Sequence, residues 1–168
     1  MQNIAYIDGQ NLYMATTKAT NPWRIDFKRF RIYLRNKYKV DEAYYFIGAY
    51  DESHMNLYIS LQQAGFILVF RKHGANLKSA KKGNVDVDVM FFALTDFIER
   101  GKDYEQVVIV SGDGDYFRLV EYLINKHRLC KILLPCKKYA SSLYKSLGNS
   151  YYSYIDTPDM RHLIGENA

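Results

Sequence analysis

Short apolar runs alternate along the chain with longer segments in which apolar positions recur every three or four residues. The short runs predict strands at Asn3–Ile7, Glu42–Gly48, Phe66–Arg71, Gln106–Val110, Leu129–Leu134 and Tyr151–Ile155. The periodic segments predict helices at Asn11–Lys18, Asp26–Tyr38, Glu52–Ala64, Val85–Arg100, Asp115–Lys126 and Tyr139–Leu147. Gly65, Gly101 and Gly148 follow three of these helices as C-terminal caps do. Strand–helix alternation throughout is the signature of a parallel sheet covered on both faces. Val107–Val110 and Ile67–Phe70 are continuously apolar, as strands buried on both sides require. The expected fold class is α/β, a three-layer α/β/α sandwich with a mainly parallel central sheet. One domain is expected over residues 1–157, followed by a tail, 158–168, that is disordered or docks on a partner.

Right-handed crossovers put the carboxyl ends of parallel strands on one edge, where open α/β sheets bind ligands. The first strand runs into Asp8-Gly9-Gln10-Asn11 and the fourth into Ser111-Gly112-Asp113-Gly114-Asp115. If those strands are neighbours, Asp8, Asp113 and Asp115 converge. A fourth carboxylate can come from Asp86 or Asp88, at the start of the helix Val85–Arg100. The two lie about 200° apart on a helical wheel, so only one faces the site and the other is a first-turn charge. Taken singly, Asp113 and Asp115 read equally well as helix caps, and Asp8 as a turn residue. Taken together they repel one another, which a divalent cation relieves. Mg²⁺ and Mn²⁺ take such oxygen ligands and can assist phosphoryl chemistry. His54, His73, His127 and His162 are scattered without ligand spacing, which disfavours zinc.

The 168 residues suit one domain, and the 23 Lys and Arg against 18 Asp and Glu give a net charge of +5 that suits a polyanionic partner. Cys130 and Cys136 flank a predicted strand and stand too far apart for a disulfide, which fits a reducing cytoplasm. The N-terminus has no basic, apolar leader pattern, and no apolar run approaches the roughly 20 residues of a membrane span. No signal peptide and no membrane association are expected.

Three of these segments resemble the motifs of the NYN domain family, a branch of the PIN-like nucleases, and within it the LabA-like bacterial group. Ile7-Asp8-Gly9-Gln10-Asn11-Leu12 resembles the Asp-Gly-x-Asn-Leu opening motif. Lys82-Gly83-Asn84-Val85-Asp86-Val87-Asp88 resembles the Lys-Gly-x-Asp helix start with one extra residue. Val110-Ser111-Gly112-Asp113-Gly114-Asp115-Tyr116 resembles the Ser-Gly-Asp-x-Asp-aromatic motif. Pro135, Ser142-Leu143 and Tyr154-Ile155 resemble the closing strand–helix–strand. The resemblance runs over about residues 1–157 and implies a Rossmann-like PIN fold with Mg²⁺- or Mn²⁺-dependent RNA cleavage. It implies Asp8, Asp86, Asp113 and Asp115 as catalytic metal ligands, with Asp88 as substitute for Asp86. Asn11 would orient Asp8 or a phosphate.

A polyanion needs basic groups around such a centre. Lys78, Lys81 and Lys82 precede the acid-bearing helix and Lys137 and Lys138 follow the fifth strand, making these five the candidate RNA contacts. Arg24, Lys28, Arg31, Arg35 and Lys39 form a second basic stripe beside the apolar positions Phe27, Phe30, Leu34 and Tyr38; a solvated helix face is its primary reading and an RNA track the minor one. Tyr44, Tyr45 and Tyr58 are expected in the core. Tyr13, Tyr116 and Tyr139 lie near the edge and could stack on bases, with packing the stronger expectation for Tyr116. The reading is a cytoplasmic metal-dependent ribonuclease hydrolysing phosphodiester bonds in single-stranded or loop RNA, with homodimerisation open. The alternative is a noncatalytic RNA-binding or regulatory module with a vestigial acidic site. A haloacid dehalogenase-type phosphatase needs a second Asp where Gln10 stands, and the Gly-x-Gly-x-x-Gly loop of a dinucleotide site is absent.

Overall fold

A strand apolar on both faces belongs in the middle of a sheet. The first strand, β1 (Asn3–Asp8), is buried at all six positions and pairs on both sides. The computed structural model describes residues 2–71 and 85–167. Its other strands are β2 (Val40–Ile47), β3 (Ile67–Phe70), β4 (Val107–Val110), β5 (Leu129–Leu134) and β6 (Tyr152–Tyr154). They form one sheet of order β3-β2-β1-β4-β5-β6, parallel at every pairing. The α/β class is as the alternation predicted. Strand order reverses between β1 and β4, so the switch point, where such sheets bind ligands, lies between the two acidic turns.

The helices are α1 (Gly9–Thr16), α2 (Phe27–Tyr38), α3 (Met55–Ala64), α4 (Val85–Arg100), α5 (Phe117–Asn125) and α6 (Pro158–Ile164). Alternate strand residues feed two cores. Ile4, Tyr6 and Ile109 pack with Val89 of α4 and Leu119 of α5. Ala5, Ile7 and Val108 pack with Leu12 of α1, Phe30 of α2, Leu61 of α3 and Ile164 of α6. A polar clasp fixes the far end of α4 and so the position of its acid-bearing start. Tyr6 donates to Asp96 Oδ2 at 2.5 Å, and Arg100 donates to Asp96 Oδ1 at 3.3 Å and to Glu42 Oε1 at 2.9 Å.

Several boundaries differ from expectation. α1 begins at Gly9 rather than Asn11 because Asp8 is its N-cap, accepting from the Asn11 amide at 2.9 Å. Only glycine fits at position 9: a Cβ there would lie 2.4 Å from Tyr45 Cε1 and 2.5 Å from the Phe46 carbonyl oxygen. The helix expected over Tyr139–Leu147 shrinks to a 3₁₀ turn, Ser142–Ser146. Of the three expected glycine caps, only Gly65 takes the left-handed conformation, at φ 93°.

The segment after residue 157, expected to be disordered or to dock on a partner, contains α6. Thr157 caps α6 by accepting from the Met160 amide at 3.3 Å, and Pro158 opens the helix. Ile164 is fully buried. Its carbonyl accepts from the Asp26 amide at 2.9 Å, and the Glu166 amide donates to the Arg24 carbonyl at 2.9 Å. Apolar burial and backbone pairing hold this segment against its own chain.

Candidate metal centre

The turn after β4 is shaped by its own side chains. The Asp113 amide donates to Ser111 Oγ at 3.1 Å and the Asp115 amide to Asp113 Oδ1 at 3.0 Å. Tyr144 donates its hydroxyl to the Asp113 carbonyl. Asp113 is therefore a cap, as its spacing allowed, while its carboxylate is half-buried and that of Asp115 is exposed. Across from them, the first turn of α4 presents Asp86, which is buried. One carboxylate oxygen from each of Asp86, Asp113 and Asp115 lies within 4.8 Å of the others. Asp88 points elsewhere, with Oδ2 3.9 Å from Nε of Arg71.

Burial, and then the Asp115 carboxylate beside it, hold the Asp86 carboxyl above its usual range. Like charges this close are stable together only with a proton or a cation among them. Hard oxygen donors, partly buried and partly open, are the ligand set for a divalent ion that keeps several waters. These three acids fit one.

Asp8 stands beside the trio but outside that 4.8 Å grouping. It is 5% exposed, accepting the Asn11 amide on Oδ1 at 2.9 Å and the Tyr116 hydroxyl on Oδ2 at 3.0 Å. Burial pushes its carboxyl up more than these two bonds hold it down, and the nearby Asp113 adds to the rise. The Gln10 amide adds a third donor, and since a carboxylate offers about four lone-pair sites, not all are filled. Asn11 makes two contacts here. Its backbone orients Asp8, and its side-chain Oδ1 accepts the Gly112 amide at 2.8 Å, tying the β1 turn to the β4 turn.

Lys137 and Lys138 are exposed just after β5. The Lys137 ammonium lies 5.9 Å from the centre of the Tyr154 ring, and Lys138 Nζ donates to Thr20 Oγ1 at 3.4 Å. Lys78, Lys81 and Lys82 lie outside the described residues. In the α2 stripe, Arg31 is a structural clasp: it donates to the carbonyls of Gly65 at 3.2 Å and Val40 at 3.1 Å, and to that of Asp41. Tyr44, Tyr45 and Tyr58 are buried as expected, and so is Tyr116. Tyr13 and Tyr139 are about half exposed, and the Tyr139 hydroxyl bonds Thr20.

A family model described as the NYN domain matches residues 4–154. The chain belongs to the NYN domain family. NYN domains are a branch of the PIN-like nuclease superfamily, so the chain carries the fold of a nuclease-type hydrolase. It is 24% identical over 168 residues to "Low amplitude and bright protein LabA" of Synechococcus elongatus, covering 95% of this chain and 85% of that one. The crystal structure of a protein of unknown function from Vibrio parahaemolyticus has the same fold as this NYN protein, with TM-score 0.75 at 22% identity, covering 92% of this chain and 93% of that one.

Two features of the NYN site escaped sequence reasoning. The Tyr116 hydroxyl, read as packing, is the side-chain donor to Asp8. The pairing of Arg71 with Asp88, which leaves Asp86 for the site, joins residues with no local sequence relation. The opposite charges at the ends of β3 and the start of α4 were the only available signal.

Proposed function

We propose that this NYN domain is a Mg²⁺- or Mn²⁺-dependent ribonuclease that hydrolyses phosphodiester bonds in single-stranded or loop RNA. The carrying observation is the convergence of Asp86, Asp113 and Asp115 from two distant segments within 4.8 Å at the switch-point edge. Those three would hold the ion, with Asp8 contributing through a remaining lone pair. When bound, the ion supplies Lewis acidity: it polarises phosphate oxygen, lowers the pKa of water and stabilises the leaving alkoxide. Tyr116 and the Asn11 backbone fix Asp8, and the Asn11 side chain holds the two acidic turns in register. Lys137 and Lys138, with Lys78, Lys81 and Lys82, would neutralise flanking phosphates.

A cytoplasmic location belongs to this reading and is supported by two free cysteines. Among the described residues no helix is long and apolar enough to cross a membrane. Self-association is likewise a proposal, which sedimentation velocity reads directly.

The test is cleavage of an unpaired RNA by the purified chain. Activity is expected with Mn²⁺ or Mg²⁺, lost in EDTA, and lost with Asp113→Asn. Unchanged cleavage by that variant overturns the assignment. Tight RNA binding with no divalent binding in calorimetry supports the noncatalytic module instead.

A further inference from the structure

On the α1–α3 side of the same sheet edge lies a cavity of about 890 Å³. Gly9 and Gln10, the two residues after Asp8, line it, and so do Ile47 and Gly48 at the end of β2. The cavity thus adjoins Asp8 at the end of β1. Its size falls in the range of roughly 300–1,000 Å³ of small-molecule sites. Its walls are aromatic, with Phe27, Tyr45 and Tyr58 among them. Its charged lining includes Arg24 and Arg71 against Glu166.

Tyr45 gives the cavity a specific polar demand. The residue is 5% exposed, and among the described residues no group hydrogen-bonds its hydroxyl. The space that Tyr45 lines is this cavity. A purely apolar occupant would leave the buried Tyr45 hydroxyl without a partner and would shield the exposed Gln10 amide and Arg24 guanidinium from water without replacing it, at a cost. A planar ring with polar edges and an attached phosphate satisfies all three while stacking on the aromatic walls.

We propose that this cavity is a nucleotide subsite. It takes the base and ribose of an unpaired nucleotide beside the cleaved bond, with the ring among Phe27, Tyr45 and Tyr58. The Tyr45 hydroxyl bonds a polar base edge, and Arg24 supplies charge for the phosphate. The inference rests on the reading of the acidic cluster as an RNA-cleaving centre, and gives that centre its requirement for unpaired substrate.

The experiment is calorimetric titration of the whole chain, in EDTA, with adenosine and uridine 5′-monophosphates and with ribose 5-phosphate. The nucleotides are expected to bind about tenfold or more tightly than the base-free sugar phosphate. Tyr45→Phe should weaken nucleotide binding about three- to tenfold while leaving the melting temperature unchanged or raised, because the hydroxyl has no partner to lose. A lowered melting temperature with unaltered affinity would instead make the hydroxyl structural and overturn its role. Gly48→Leu is the second variant: a Cβ at Gly48 meets nothing within 4 Å, so the side chain enters open space in the lining. It should abolish nucleotide binding while Mn²⁺ binding, measured without EDTA, stays unchanged. Equal affinity for nucleotides and ribose 5-phosphate, or undiminished nucleotide affinity in Gly48→Leu, overturns the subsite. Nucleotide binding as expected, with no RNA cleaved under Mn²⁺, overturns the ribonuclease reading and leaves the subsite standing.

Discussion

The turn after β1 and the turn after β4 each follow a fully buried strand and each combine aspartate with glycine. Asp8 in the first is enclosed, with both carboxylate oxygens hydrogen-bonded by the protein. Asp113 and Asp115 in the second are half-buried and exposed, and their carboxylates meet that of Asp86. The difference arises from what stands opposite. The β1 turn faces the phenol of Tyr116, whereas the β4 turn faces the first turn of α4. Similar composition at a strand end therefore serves two purposes: one carboxylate is fixed by donors, and the others remain available to a cation.

The sharpest way to break this contrast is Asp113→Asn, which keeps the oxygen that caps the Asp115 amide and removes one charge from the trio. Cleavage and Mn²⁺ affinity should fall by orders of magnitude while stability changes by about 0.5 kcal/mol or less in chemical denaturation. Tyr116→Phe should do the reverse in emphasis, costing about 1.5–3 kcal/mol of stability through loss of a charge-assisted bond. A variant as stable as the parent would show that Asp8 is not held this way. Asn11→Ala cuts the tie to the Gly112 amide and should cost about 1 kcal/mol, with cleavage lowered through misalignment of the turns.

Asp8 also carries a pH signature. Burial raises its carboxyl above the ordinary 3.8, so the folded state holds the proton to higher pH than the unfolded chain does. Its contribution to stability is then greatest at low pH and declines as pH rises from the ordinary carboxyl range through the raised value. Asp8→Asn should remove that decline, gaining on the parent at pH 7 and losing the advantage near about pH 4 in EDTA. The smallest effect expected is that of Lys137→Gln with Lys138→Gln. It should reduce the salt dependence of RNA affinity by about 1.4 in log–log slope if each lysine meets one phosphate.

The sheet was readable because buried parallel strands announce themselves as unbroken apolar runs, and β5 occurs at the residues expected, Leu129–Leu134. The site was readable in part. Asp113 and Asp115 sit where a strand must turn, so the sequence limits their role to cap or ligand, and Asp113 is also a cap. The choice between Asp86 and Asp88 was not readable, because a helical wheel gives their separation and not which side meets the sheet edge. Arg71, from the end of β3, takes Asp88. α6 went unread although Thr157 and Pro158 are ordinary helix-start residues. Its three apolar positions, Met160, Leu163 and Ile164, are too few to show a period, and its order comes from the buried Ile164 and from pairing with Arg24.

The central place of β1 bears on how the protein is made. The first strand of this domain is one of the two central strands of the sheet, and the phenol that holds its terminal carboxylate follows 108 residues later. Contacts of such sequence separation form slowly and only after both ends exist. Synthesis reaches Asp8 before Asp86, Asp113 and Tyr116, so the acidic trio and the donor to Asp8 are complete only once residue 116 has been made. On the ribonuclease reading, the order of strands thus delays any cutting activity until the chain has been made past residue 116.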